Sequence, residues 1–283
     1  MLVNMKEMLA HARANKYAVG LFNTMDTDML EGVINAAEKL RSPVIIGTAE
    51  VLLPYGELKL LAPSIIAAAK RATVPVVVHF DHGTTFERTL EALQLGFSSV
   101  MFDASTKPYE QNVAETREIV KIAHAMGATV EGEIGHVGVA NNPDDVTGDN
   151  YTTVEEAAQF LADTGVDALA VAVGTAHGAY KSKPKLSYDR TREIRESVDV
   201  PLVLHGGSGL SDDEFRGLIE NGISKVNIFT DLCIAAMTAK PAGEAADLNF
   251  TDYMSLRKMK VDAIQAAAEK KMSLFGCAGK ADI

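Results

Sequence analysis

Eight short apolar runs rich in β-branched residues alternate with segments of helical apolar spacing along the 283 residues of the chain. The candidate strands are 17–23, 43–47, 76–81, 99–103, 129–134, 169–173, 202–205 and 225–228. Between them, 29–40, 58–71, 86–95, 109–126, 153–164, 189–196 and 212–221 read as helices, and two further helical stretches, 232–239 and 255–271, follow the last strand. In 29–40, for example, Met29, Leu30, Val33, Ile34, Ala37 and Leu40 recur with helical periodicity. Each crossover has room for its helix. The alternation therefore predicts a parallel sheet, and eight units close as a (β/α)8 TIM barrel with additional C-terminal helices. A doubly wound open sheet is the alternative. It fits less well, because polar residues end many strands instead of gathering at one switch point. No linker, internal repeat or low-complexity tract divides the chain, so 1–283 reads as one barrel domain.

Local signals refine the pattern. Pro63 must kink the 58–71 helix or sit in its first turn. Gly96 and Gly127 close their helices, and Thr153 and Glu156 are spaced as a capping box. The segment 1–13 reads as a short amphipathic helix without a secretory apolar core. The polar stretch 135–152 is a long loop, and such loops in compact domains are usually functional or mobile.

The chemistry gathers where strands end. Val76-Val77-Val78-His79-Phe80-Asp81-His82-Gly83 turns abruptly from β-branched residues to acid, imidazole and glycine. The run at 169–174 leads to His177-Gly178, and 201–204 leads to His205-Gly206-Gly207-Ser208. Any one of these histidines alone is an ordinary structural residue. His82, His177 and His205 together, each ending a strand and preceding glycine, predict a shared metal at the barrel mouth. Three imidazoles leave one position open, the arrangement of catalytic zinc. His11 and His124 lie on helices and read as solvated or locally hydrogen-bonded, while His136 falls in the long loop with no obvious role, contact with substrate being the lesser alternative. His79 shares a strand face with Asp81, as an inner-layer polar residue or an orienting group.

Asp81 is either an orienter of a metal ligand or a proton-transfer group. Asp81 and His82 can both face the site only if the strand bends between them, and Gly83 makes that bend cheap. Asp103 and Glu133 also end strands. They are partners of the ligands, a second cation site, or salt-bridged to lysines. The glycines of His205-Gly206-Gly207-Ser208-Gly209 and the segment Asn227-Ile228-Phe229-Thr230-Asp231 follow the seventh and eighth strands, where barrels commonly hold phosphate.

Charge and cysteines exclude other classes. A net charge of -11 argues against nucleic acid, which needs a basic stripe. Cys233 and Cys277 form neither a metal-binding pair nor a disulfide framework, consistent with a reducing, cytoplasmic setting. No apolar run reaches transmembrane length, so no membrane partner is expected.

These motifs resemble those of the class II, metal-dependent fructose/tagatose-bisphosphate aldolases over nearly the whole chain. The likeness runs from the 17–23 strand through Ser42-Pro43-Val44-Ile45-Ile46, His79-Phe80-Asp81-His82-Gly83, Ser99-Val100-Met101-Phe102-Asp103-Ala104-Ser105 and Glu131-Gly132-Glu133-Ile134-Gly135. It continues in Gly174-Thr175-Ala176-His177-Gly178, Leu204-His205-Gly206-Gly207-Ser208-Gly209 and Lys225-Val226-Asn227-Ile228. The resemblance implies Zn2+ held by His82, His177 and His205, with Asp81 as the acid/base at the carbon-4 oxygen of a ketose. It implies a substrate site made by Asn23, Gly178, Gly206, Gly207, Ser208, Asn227, Ile228, Phe229 and Thr230. Asp103 and Glu133 match positions that carry a second metal in some relatives, and a monovalent cation near the phosphate is known in the family. The implied reaction is reversible cleavage of a ketose 1-phosphate or ketose bisphosphate to dihydroxyacetone phosphate and an aldehyde through a metal-stabilised enediolate. The implied assembly is a homodimer or homotetramer.

Departures from the family pattern suit a divergent subgroup. The loop glutamate that serves as carbon-3 base in many relatives is absent from Gly138-Val139-Ala140-Asn141-Asn142-Pro143-Asp144-Asp145, leaving Asp144, Asp145 or His136 to replace it. Ala49 stands in place of a serine at the second phosphate, and Phe229 replaces a smaller or polar residue. A non-catalytic sugar-phosphate-binding barrel and a metal-dependent sugar-phosphate isomerase or epimerase remain as alternatives.

Overall fold

The computed structural model describes residues 1–135, 137, 151–176, 184–239 and 250–283, without the side chains of Phe250 and Thr251. The elements run in chain order as β1 (Leu2–Val3), α1 (Met5–Ala14), β2 (Val19–Asn23), α2 (Thr27–Leu40) and β3 (Val44–Ala49). A 3-10 turn (Glu50–Leu52), α3 (Leu58–Arg71), β4 (Val76–Gly83), α4 (Phe86–Leu95), β5 (Ser99–Phe102) and α5 (Tyr109–Ala125) follow. Then come β6 (Thr129–Ile134), α6 (Val154–Thr164), β7 (Ala168–Val171), α7 (Tyr188–Ser197), β8 (Leu202–Leu204), α8 (Asp212–Glu220), β9 (Ile223–Ile228), α9 (Thr230–Thr238) and α10 (Phe250–Leu274).

Strands β2 to β9 pair in parallel in sequence order, and the β2–β9 pairing closes the ring. This is the (β/α)8 barrel of the alternation pattern, with α10 added at the C-terminus. Every residue of β2, β3, β5, β6, β7, β8 and β9 is buried, because helices cover the outside and side chains fill the inside. Among the described residues, no helix is long and apolar enough to cross a membrane.

The structure corrects the reading of 1–13. The first residues form β1, and the helix starts only at Met5. The cause lies in the stagger of the barrel. β5 first pairs with β4 at His79, leaving the edge of Val76 and Val77 open. β1 fills that edge, with Leu2 opposite Val76 and Val3 opposite Val77, so buried backbone groups find partners. Pro63 is neither in the first turn nor at an end; it is the sixth residue of α3, on the exposed face, where the unmatched carbonyl of Lys59 can meet water. The Thr153 capping box is present, with both reciprocal hydrogen bonds.

α10 lies against α2. Gly32 permits the contact: a Cβ there would stand 2.7 Å from Ile264 Cγ2 and 3.0 Å from the Val261 carbonyl oxygen. Lys260–Asp28 at 3.0 Å and Arg257–Glu31 at 2.7 Å flank the seam. Helix propensity alone favours Gly32→Ala by about 1 kcal/mol. Overpacking against α10 should reverse that sign, with a net loss of about 1–3 kcal/mol in urea titration. A gain in stability would show that α10 does not rest on Gly32.

Candidate functional site

Residues two apart on a strand share a face. His79 and Asp81 on β4, Glu131 and Glu133 on β6, and Lys225 and Asn227 on β9 all turn into the barrel, and all six are buried. Lys225 Nζ lies 2.8 Å from Glu131 Oε2 and donates to Asn227 Oδ1 at 2.6 Å. Asn227 Nδ2 in turn donates to Asp81 Oδ1 at 2.9 Å. Asn23 Nδ2, from the end of β2, donates to Asp81 Oδ2 at 2.7 Å. Each oxygen of Asp81 is thus held by an amide and keeps a second lone pair for other donors.

His82 follows Asp81 yet faces the same space. The bend that allows this falls at His82 itself, with φ of 44°, and the β4–β5 register shifts between Phe80 and Gly83. A non-glycine residue pays about 1–2 kcal/mol for that conformation, and such strain clusters at functional sites. The sequence reading ended the strand between Asp81 and His82 and credited Gly83 with easing the bend, whereas β4 runs on to Gly83. The role of Gly83 is instead close approach, since a Cβ there would lie 2.3 Å from Thr89 Oγ1 and 2.8 Å from the Met101 carbonyl oxygen.

His82 Nδ1 is 2.8 Å from Asp103 Oδ2. Asp103 Oδ1 is held by the Ser105 N–H at 3.1 Å and hydroxyl at 2.7 Å. His205 Nε2 is 2.8 Å from Glu131 Oε1. An ionised carboxylate only accepts, so each imidazole keeps a proton on the nitrogen facing its carboxylate. The remaining nitrogens, His82 Nε2 and His205 Nδ1, face one another 2.8 Å apart. Two lone pairs at that distance repel unless a cation lies with them. Asp81, His82 and His205 present donor atoms within 4.8 Å of one another, and His82, Asp103 and Glu133 form a second such group. Imidazole and carboxylate donors suit zinc and similar divalent ions, so this side of the barrel fits a metal. His177 and Gly178, the other residues read from sequence for this rim, lie outside the described residues, as do His136, Asp144 and Asp145.

The titration behaviour follows from the same contacts. Burial alone raises the Asp81 carboxyl, but His82, His205 and Lys225 outweigh it and hold the group well below the usual carboxylate range. Glu131 is lowered in the same way, against burial, by Lys225 and His205. Glu133 goes the other way: burial and neighbouring Asp103 push it up to about 8, although its Oε1 accepts from the Val137 N–H at 3.0 Å. Burial disfavours a charged His82, but Asp81 and Asp103 raise it to about 10, so a proton fills the gap when no other cation does. His79 is pushed down to about 3 by burial and then by Lys225, and stays neutral. His11 and His124 are locally paired, with the Tyr17 hydroxyl at 2.9 Å and Asp167 at 2.8 Å.

A cavity of about 210 Å3 opens above these groups. Asn23, Asp81, His82, His205 and Asn227 form its floor. Gly206, Gly207, Ser208, Ile228, Phe229 and Thr230 form one wall, as sequence reasoning grouped them. Gly206 has φ of 67°, and a Cβ there would lie 2.5 Å from the Ala176 backbone, so only glycine fits. α9 begins in this wall, and its N-cap Phe229 offers no capping side chain. The start of α9, with the partial positive charge of its first N–H groups, thus borders the cavity. Ala49, Val51 and Leu52, from the end of β3 and the 3-10 turn after it, also line the cavity. Among the described residues, no lysine or arginine lines the cavity. Asp103 and Glu133 stand behind His82 and away from it.

Sequence reasoning quoted Glu131 and Lys225 within motifs but gave them no role. The available signal was spacing: each lies two residues before a residue that was singled out, Glu133 and Asn227.

The chain matches the family Fructose-bisphosphate aldolase class-II over residues 3–280. It is 41% identical over 285 residues to a fructose-bisphosphate aldolase of Geobacillus stearothermophilus, covering 99% of each chain. It is 39% identical over 283 residues to a 6-phospho-5-dehydro-2-deoxy-D-gluconate aldolase of Shouchella clausii, covering 99% of this chain and 96% of that one. The crystal structure of the YdjI aldolase from Escherichia coli K12 superposes with a TM-score of 0.89 at 38% identity, covering 100% of both chains. A barrel of this register, with imidazoles and carboxylates converging at its carboxyl end, belongs to the class II fructose-bisphosphate aldolase family, whose members are carbon–carbon lyases that use a divalent metal.

Proposed function

We propose that the chain is a zinc-dependent aldolase that reversibly cleaves a ketose 1-phosphate or ketose bisphosphate to dihydroxyacetone phosphate and an aldehyde. The observation that carries this reading is the pair of facing imidazole nitrogens beside an amide-held Asp81. His82 and His205 hold the ion, with His177 as the third imidazole. When bound, the ion supplies Lewis-acid stabilisation for the negative charge that carbon–carbon cleavage leaves behind.

The residues of the chain do the rest. Asp81 is ionised and accepts the carbon-4 hydroxyl proton in cleavage, then returns it in condensation. Asn23 and Asn227 hold its carboxylate in place for that transfer. The wall of Gly206, Gly207, Ser208, Ile228, Phe229 and Thr230, together with Asn227 of the floor and Gly178, takes the phosphate of the dihydroxyacetone phosphate half on backbone N–H groups and the start of α9. The aldehyde half then faces Ala49, Val51 and Leu52, a wall with no cationic side chain among the described residues. That wall favours a substrate with one phosphate over a bisphosphate. Asp103 orients His82, and Glu133 packs behind it as a neutral acid, rather than the two holding a second ion. A cytoplasmic homodimer or homotetramer completes the reading, on the strength of the family likeness.

Detection of triose phosphate released from a panel of ketose phosphates tests this before and after chelation. Activity should vanish with the metal and return with added zinc; turnover that survives complete metal removal overturns it. Rearranged sugar without triose would instead identify an isomerase. Asp81→Ala should retain zinc and slow turnover by about 10²–10⁴-fold; near-normal rates would remove Asp81 from the proton transfer.

Glu133 gives a pH dependence. Its folded pKa of about 8 stands above the usual 4.5. As pH rises through that window the unfolded chain releases the proton while the folded chain retains it, so the folded state loses stability. In the chelated protein, Glu133→Gln should remove this loss and be the more stable form at pH 8, by on the order of 1 kcal/mol or more, with little difference near pH 4.5. Equal urea midpoints for the two forms at pH 8 would show that Glu133 ionises freely.

A further inference from the structure

We infer that Lys225 is a positioning residue that orients both Asp81 and His205 from the barrel floor. The inference deepens the aldolase reading and rests on it for its kinetic part. Lys225 and Glu131 are both 0% exposed. Taking such a pair out of water is costly, and well-packed apolar residues in its place are often as stable or more so. Stability therefore gives no reason for an ion pair here. Orientation does.

An ammonium can only donate. Lys225 Nζ lies 2.6 Å from Asn227 Oδ1, so it selects which end of that amide faces it. The NH2 end is then turned to Asp81 Oδ1 at 2.9 Å. Without the ammonium, Asp81 itself must oppose a flip that would turn the amide oxygen onto its carboxylate, so the amide is held from one end instead of two. The second branch runs through Glu131. Its Oε2 faces Lys225 at 2.8 Å, which leaves Oε1 to accept from His205 Nε2 at 2.8 Å. That bond fixes the His205 tautomer and leaves the Nδ1 lone pair toward His82. One cation thus sets the polarity of two hydrogen-bond chains, and both end at groups proposed to do the chemistry. His79 Nε2, 3.9 Å from Glu131 Oε2, is too distant to take over from Lys225.

Lys225→Met alone strands the Glu131 charge, so the test uses Lys225→Met/Glu131→Gln, which removes both charges at similar volume. Three properties are read on the zinc- or Co2+-loaded chain: cooperative melting, the visible spectrum of bound Co2+, and kcat and KM for triose release. A folded double variant with kcat lowered by about 10–100-fold, KM changed less than about threefold and an altered Co2+ spectrum is the expected result. Wild-type kcat and spectrum in the folded double variant overturn the inference. If the unmutated chain cleaves no ketose phosphate, the aldolase reading fails while the Co2+ spectrum still decides the orientation of His205. A measurement on the unmutated, zinc-loaded chain guards against a variant that does not fold. Histidine 15N NMR should show His205 protonated on Nε2, and a proton on Nδ1 instead overturns the inference directly.

Discussion

Everything at the mouth of this barrel is arranged around one electrostatic conflict. His82 and His205 each donate a hydrogen bond to a carboxylate behind them, and so bring two lone pairs face to face 2.8 Å apart. Left alone, the arrangement is repulsive. It makes sense as a socket for positive charge, and the carboxylates of Asp81, Asp103 and Glu131 deepen the same well. The cost of gathering these acids is visible in Glu133, which is pushed up to about 8 because burial and Asp103 leave no room for another negative charge.

The fold makes that conflict attainable. His82 comes from β4 and His205 follows β8, four strands away in either direction around the ring, while Glu131 comes from β6 between them. Only a closed sheet lets them converge on an axis. The strained step at His82 adds what strand periodicity forbids, two adjacent side chains turned to one space. Closure also explains the N-terminal strand, because the stagger that aims β4 into the site leaves its first residues unpaired until β1 covers them.

The architecture was legible because its signal is long and redundant: eight apolar runs and the helices between them. The metal-side residues were legible for a related reason, since His82 and His205 are polar residues placed abruptly after apolar strands. What the sequence hid is of two kinds. The positive φ of His82 was hidden, because glycine, here Gly83, is the usual means of easing such a turn and no local signal marks a histidine held there by its contacts. Glu131 and Lys225 looked like ordinary strand residues. Their meaning comes from a pairing across 94 positions, given by residues 131 and 225 in the numbering, and single-strand periodicity marks only the face each occupies. The β1 strand was lost inside a helical pattern because two residues carry no period at all.

The same contacts separate what the site can change from what it cannot. Asp81, Glu131, His205, Lys225 and Asn227 are buried and share hydrogen bonds, so replacing any one strands a polar group in the others. The lining from the end of β3 is different. Val51 is 72% exposed and sits in a 3-10 turn after β3, lining the cavity without belonging to the network. Substitutions there alter the shape and polarity of the cavity while leaving Asp81 and the imidazoles in register. On the proposed reading, a barrel built this way can exchange its sugar and keep its carbon–carbon chemistry, because specificity would hang on a loop and proton transfer on strands.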